Sequence, residues 1–249
     1  MWIAPVPDKT GALESILTTL ERARAREFRQ RADASRFVTG RALLRLALAT
    51  VLDSAACEVA IDCRCPRCGK PHGAPRLLGP AHAGTSVSVT HSGTLVAVAV
   101  NRQGPVGVDV EEVRPLSVAE MSPLVLTEAE LRELALIDEE VRAQVLLACW
   151  SRKESYLKAI GSGLTIDMRE LCVTLLPSDP PRIRSTPDGT PPESWAVHAL
   201  ELGPGFVGAV VARPVVGLLR FDLSTADLLR AAATGRISCR PGPSSGAGG

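Results

Sequence analysis

Lysine is scarce in this sequence: of its 28 basic residues only Lys9, Lys70, Lys153 and Lys158 are lysines. Tyrosine is scarcer still, with Tyr156 alone. Neither sign of charge is in excess, since 28 basic residues stand against 27 acidic ones for a net charge of +1. That balance excludes a dedicated nucleic-acid surface, which needs a basic excess. No apolar run approaches the roughly 18 residues a membrane-spanning helix needs, so no membrane partner is expected. The opening MWIAPVPDK has no basic stretch leading into an apolar core, so no secretory signal is expected and the cytoplasm is the expected compartment. Seven cysteines are an odd number in a chain too long to depend on a disulfide framework, which makes reduced thiols the expectation. What remains is ordinary globular composition over 249 residues, 45% hydrophobic and 22% charged. That is enough for one domain or two small ones.

The chain alternates between two periodicities. A short strand over 1–8 ends at Pro5 and Pro7. Leu13, Ile16, Leu17 and Leu20 predict a helix over 10–33 capped by Thr10, and Leu43, Leu44, Ala47, Leu48, Val51 and Leu52 predict a second over 36–53. A strand at 58–62 and an irregular loop at 63–85 follow. Val-rich runs at 87–90, 95–100 and 106–111, split by turn residues, predict antiparallel hairpins. Helical pattern returns at 117–122 and 127–161, with Thr127 and Glu130 forming a capping box and Gly161 and Gly163 ending the last helix. Strands are expected near 171–176, 195–201, 206–213 and 216–222, and a Pro-rich loop over 177–193. The tail ISCRPGPSSGAGG is of low complexity and expected to be disordered. The order of helices, strands, helices and strands predicts an α+β fold of two similar halves.

The leading chemical signal is acidic. Asp109 and Glu111 in GVDVEE sit at i and i+2 of a strand, on one face and roughly 6.6 Å apart. Such a pair can share a magnesium ion with substrate phosphates, or be the solvated face of an edge strand. Glu154 in WSRKESYLKA lies one helical turn before Lys158. That pair is either a third carboxylate beside a cation or an exposed ion pair worth a few tenths of a kcal/mol. His91 in SVTHSG and Lys70 in CGKPHG both sit at turns suited to phosphate contacts, a weak signal for either alone. Cys63, Cys65, Cys68 and His72 lie close enough to supply four zinc ligands, or form a reduced, metal-free loop. Cys149 and Cys172 read as core.

Taken together, GKP, VTHSG, VGVDVE and WSRKESYLKAIGSGL, in this order and at these separations, resemble the surfactin-synthetase-activating class of 4′-phosphopantetheinyl transferases over about residues 20–215. The resemblance implies a fold of two pseudo-twofold-related α/β halves with coenzyme A bound at their interface. It implies an N-terminal half at 1–104 making adenine and phosphate contacts, a C-terminal half at 105–223 bearing the metal-binding carboxylates, and a helix and tail at 224–249. It implies Mg2+-dependent transfer of 4′-phosphopantetheine to a serine of an apo acyl or peptidyl carrier protein, releasing adenosine 3′,5′-bisphosphate, by a monomer serving fatty-acid, polyketide or nonribosomal-peptide synthesis. Asp109, Glu111 and Glu154 match the metal carboxylates. Glu154 also matches the general base, and Lys158 the lysine beside the pyrophosphate. His91 and Thr90 match phosphate contacts, as does Arg36. Lys70 matches a basic residue near the 3′-phosphate and adenine, and Arg24 stands for an upstream lysine. The segment 112–126, with Leu116, Val118, Met121 and Leu124, is either part of a carrier-docking surface or ordinary core. A magnesium-dependent phosphohydrolase and a zinc-stabilised binding module are the competing readings of the same residues.

Overall fold

The computed structural model describes residues 1–79, 82–176 and 178–238. The low-complexity tail from Cys239 onward lies outside the described residues. In chain order the elements are β1 (Trp2–Pro5), α1 (Gly11–Glu14), α2 (Thr19–Arg26), α3 (Arg31–Leu52), β2 (Ile61–Asp62), β3 (Arg76–Leu77), β4 (Ser86–Ser92), β5 (Leu95–Asn101) and β6 (Val106–Glu112). They continue as α4 (Val118–Val125), α5 (Glu128–Ala135), α6 (Glu139–Ala159), β7 (Cys172–Val173), β8 (Ile183–Ser185), β9 (Ala196–Ala199), β10 (Phe206–Ala212), β11 (Phe221–Asp222) and α7 (Thr225–Thr234). The chain is thus a mixed α/β protein. No helix of the described residues is long and apolar enough to cross a membrane.

The chain forms two compact units, Met1–Val100 with the residues from Gly217 onward, and Asn101–Val216. In the first, a four-stranded sheet of order β11-β1-β5-β4 carries α3. Leu43, Leu44, Leu46, Ala47 and Leu48 of α3 are fully buried with Ala4, Val96 and Val98 of the sheet. Each buried leucine contributes roughly 1.5–3 kcal/mol of transfer free energy. The division differs from the expected boundaries at 104 and 223. Trp2 pairs with Phe221 and Ile3 with Asp222 in parallel, and Leu228, Ala231 and Ala232 of α7 enter the first core, so residues 217–238 belong to that unit.

The expected helix over 10–33 is interrupted. Thr18 accepts from the Glu21 N–H while the Glu21 carboxylate accepts from the Thr18 N–H, a capping box that starts α2 afresh. Thr10 makes no side-chain cap bond. Short strands also form inside the expected loops 63–85 and 177–193, where β3 pairs with β2 and β8 with β7.

In the second unit a three-stranded antiparallel sheet of order β6-β10-β9 packs against α6. From Ser151 to Leu157 every residue of α6 is buried, so its polar side chains need internal partners. Ser151 donates to Asp109 O at 3.0 Å, Arg152 to Thr174 O at 2.6 Å, Ser155 to Ala209 O at 2.9 Å and Tyr156 to Asp188 Oδ1 at 2.8 Å. The helix can lie this close to β6 because of Gly107. A Cβ built there would stand 1.8 Å from Ser155 O. In segment 112–126, Leu116, Val118 and Met121 pack against the second core, while Leu124 is 71% exposed.

Candidate active site

β6 brings Asp109 and Glu111 to the face that α6 covers, because Gly107 on the same alternation is where the helix touches the strand. Asp109 is 3% exposed and pairs with Ala209 of β10. A solvated acidic face therefore does not describe it. Lys158 reaches across from α6 and donates to Asp109 Oδ1 at 2.7 Å and to Val108 O at 3.2 Å. The pairing expected for Lys158 along its own helix gives way to one with the strand.

Glu154 lies one turn earlier and is 9% exposed. Burial pushes its carboxyl above the ordinary glutamate range. Lys158 counters this, and the negative charges of Asp109 and Glu111 add to the rise. Glu154 thus sits in the field of both strand carboxylates. Carboxylate oxygens are the ligand type that a hard divalent cation such as Mg2+ takes.

Lys153 belongs elsewhere. It is completely buried and donates to Glu130 Oε2 at 2.6 Å, to Val125 O at 2.8 Å and to Met168 O at 3.0 Å. Glu130 also accepts from the N–H groups of Thr127 and Val173, both at 2.8 Å. One ion pair thereby ties α4, α5, α6 and the Met168–Glu170 turn together around the helix that carries Glu154. This hub was not read as such from the sequence, nor were Ser151, Ser155 and Gly107. Their signals are visible in retrospect: Glu130 as a capping-box residue, two serines one turn apart in a buried helix, and a glycine in a Val-rich strand.

The first unit holds the remaining candidates. Thr90 is buried on β4 and His91 is exposed where that strand enters the Ser92-Gly93 turn. Arg36 of α3 donates to Gly93 O at 3.2 Å and to Asp33 Oδ1 at 2.5 Å, which places its guanidinium at the turn after His91. Arg24 lines a cavity of about 380 Å³ with Phe37, Arg41, Arg45, Cys63 and Pro71. Arg24 lies over the Phe28 ring at 5.1 Å and Arg41 over the Phe37 ring at 5.4 Å. Lys70 is exposed and precedes Pro71 on the wall of this cavity.

The expected four-ligand zinc set is reduced to three. Ligand atoms of Cys65, Cys68 and His72 lie within 4.8 Å of one another. The Cys63 thiol instead faces Arg41 Nη1 at 2.8 Å, and burial raises it above the ordinary cysteine range. The six described cysteines are all free, Cys149 buried and Cys172 half-buried.

Comparison with known proteins places these residues in context. The family model of the 4′-phosphopantetheinyl transferase superfamily matches residues 105–211. The chain is 30% identical over 210 residues to the 4′-phosphopantetheinyl transferase HetI of Nostoc sp., covering 82% of each. It is 26% identical over 200 residues to the 4′-phosphopantetheinyl transferase Sfp of Bacillus subtilis, covering 80% of this chain and 83% of that one. Among solved structures, the holo-[acyl-carrier-protein] synthase of Thermotoga maritima matches 45% of this chain and 64% of its own at 21% identity, with a TM-score of 0.38, too slight a likeness to carry an argument.

Proposed function

Because the chain belongs to the 4′-phosphopantetheinyl transferase family, we propose that Asp109, Glu111, Glu154 and Lys158 form the centre at which its reaction takes place. That reaction moves the 4′-phosphopantetheine group of coenzyme A onto a serine of an apo carrier protein and releases adenosine 3′,5′-bisphosphate. Within the family we assign the chain to the surfactin-synthetase-activating class. The ordered GKP, VTHSG, VGVDVE and WSRKES segments support that assignment, as does the alignment with Sfp over most of both chains.

The observation that carries the site is the pairing of Lys158 with the buried Asp109 beside a carboxyl of raised proton affinity, Glu154. A serine hydroxyl needs a base within reach as its oxygen attacks phosphorus, and a carboxylate that holds protons more tightly than usual is the better acceptor. Glu154 takes the serine proton as the new O–P bond forms and the phosphoanhydride bond breaks. Lys158 places an ammonium where the leaving phosphate gains charge. Asp109, Glu111 and Glu154 would hold Mg2+, which when bound supplies a Lewis acid that polarises the phosphoanhydride.

The first unit is assigned the nucleotide end of coenzyme A. His91, Thr90 and Arg36, which lie in or beside the β4–β5 turn, are assigned as phosphate contacts, while Arg24 and Lys70 serve the adenine and 3′-phosphate. The arginine-lined cavity with Phe37 on its wall supports the latter, since a purine stacks on aromatic and guanidinium faces. Two helix-on-sheet units in a single chain support a monomer, and free cysteines support a reducing, cytoplasmic setting.

The test is labelling of purified apo carrier proteins from fatty-acid, polyketide and nonribosomal-peptide systems with fluorescent coenzyme A. Mg2+-dependent labelling of at least one is expected. Hydrolysis of coenzyme A with no carrier labelled would replace this reading with that of a phosphohydrolase.

A further inference from the structure

The loop between β2 and β3 is closed by its own main-chain hydrogen bonds. From Cys65 to Gly69 the chain turns tightly, with the Gly69 N–H donating to Cys65 O at 2.8 Å and Gly69 taking φ +71°. That left-handed conformation is cheap only for glycine. The ligand atoms of Cys65, Cys68 and His72 lie within 4.8 Å of one another. The loop then returns so that His72 Nε2 lies 3.0 Å from Cys68 Sγ. Gly73 closes it, donating to Cys63 O at 2.7 Å, and a Cβ at Gly73 would stand 2.7 Å from Arg64 O. Only glycine permits this closure, and the closure is what brings His72 to the cysteines.

We propose that Cys65, Cys68 and His72 bind one Zn2+ as two thiolates and one imidazole, with water in the fourth position. The residue types are those zinc selects in tetrahedral sites. Binding displaces the two thiol protons to solvent, so Zn2+ and two thiols give a neutral dithiolate site and two H+. Cys63 stays out of the set because its thiol is held at Arg41. The metal fixes Lys70. The Lys70 carbonyl accepts from the N–H groups of both Cys65 and His72, at 2.8 and 2.9 Å, so the segment between the ligands is clamped at that residue. The site is independent of the transferase reading, since none of its ligands takes part in the proposed reaction.

Metal content of the full chain, purified without chelator, tests this directly, together with Co2+ substitution. One zinc per chain is expected, and the cobalt form should show thiolate-to-cobalt charge-transfer absorption. Cys65→Ser and Cys68→Ser should each at least halve that band and lower zinc affinity at least tenfold. His72→Ala should lower affinity likewise, while Cys63→Ser and Cys57→Ser keep full stoichiometry, with circular dichroism confirming that every variant is folded. Removing zinc with a chelator should speed tryptic cleavage after Arg67 without changing cleavage elsewhere. A wild-type chain that takes up no zinc, a Cys65–Cys68 disulfide in the purified protein, or loss of metal in Cys63→Ser equal to that in Cys65→Ser would overturn the assignment.

Discussion

Lys158 Nζ sits 2.7 Å from Asp109 Oδ1 and 3.2 Å from Val108 O, so a single ammonium joins the last turn of α6 to the strand that carries two of the three site carboxylates. The lysine side chain is 28% exposed and the aspartate 5%, which leaves the pair desolvated on one side and open on the other. A compact ammonium can serve a carboxylate, a carbonyl and an incoming phosphate from one point, whereas a guanidinium is a planar fork. Lys158→Arg is therefore expected to lower kcat/KM for carrier modification by about tenfold or more, measured by fluorescent coenzyme A transfer. Wild-type activity in that variant would contradict the geometric argument.

Glu154 is expected to cost the protein stability in the absence of metal. Its carboxyl is raised in the native state by burial and by Asp109 and Glu111. The unfolded chain therefore gives up this proton at a lower pH than the native one, and native stability falls as pH rises from the ordinary glutamate range through the raised value. Glu154→Gln removes that penalty. At neutral pH without Mg2+ its Tm should exceed wild type by about 1–4 °C. The gap should vanish at pH below the ordinary glutamate range. Scanning calorimetry at several pH values checks both sign and window.

Gly107 is a packing requirement. The Cβ of Gly107→Ala would meet Ser155 O at 1.8 Å, so α6 must lift from β6 or the strand must bend. Overpacking of this kind costs about 1–3 kcal/mol or more, and here it also displaces Lys158 and Glu154. Both Tm and transfer rate should fall together. Gly217→Ala, where no atom lies within 4 Å of the added Cβ, serves as the control and should match wild type in both.

The Glu130–Lys153 pair is fully buried on both sides. Lys153→Met leaves an uncompensated carboxylate and should cost about 3–5 kcal/mol. Adding Glu130→Gln removes that charge, so the double variant should be more stable than Lys153→Met alone. Urea unfolding followed by tryptophan fluorescence reads this, as Trp195 lies in the same core against Tyr156 at 4.9 Å. A double variant less stable than Lys153→Met would show that the carboxylate is held chiefly by its main-chain donors.

Much of this arrangement was legible in the sequence. The long α3 and α6, the β4–β5 hairpin and the VGVDVE strand followed from periodicity, because strong local patterns survive tertiary context. Spacing alone left Asp109 and Glu111 as a possible solvated face and Glu154 with Lys158 as a possible exposed ion pair, and it was the resemblance carried by VGVDVE and WSRKESYLKA that grouped the four. What was not legible depends on contacts between distant residues. Nothing local at Phe221 indicates that it will pair with Trp2 and carry residues 217–238 back to the first unit. Lys153 and Lys158 share α6, yet five helical positions turn them roughly 140° apart. One therefore meets the strand and the other the hub at Glu130. Cys63 was grouped with Cys65 and Cys68 by proximity in sequence, and Arg41, from a different element, takes its thiol away.

The central claim is that Glu154, beside Asp109 and Lys158, is the base of the transfer, and it is tested most directly by intact-mass measurement of an apo carrier protein. The carrier is incubated with coenzyme A, Mg2+ and either the wild-type chain or folded Glu154→Gln. Wild type should add the mass of one phosphopantetheine group, and only with Mg2+ present, while Glu154→Gln should leave the carrier unmodified over the same period. Transfer by Glu154→Gln at the wild-type rate would contradict the assignment.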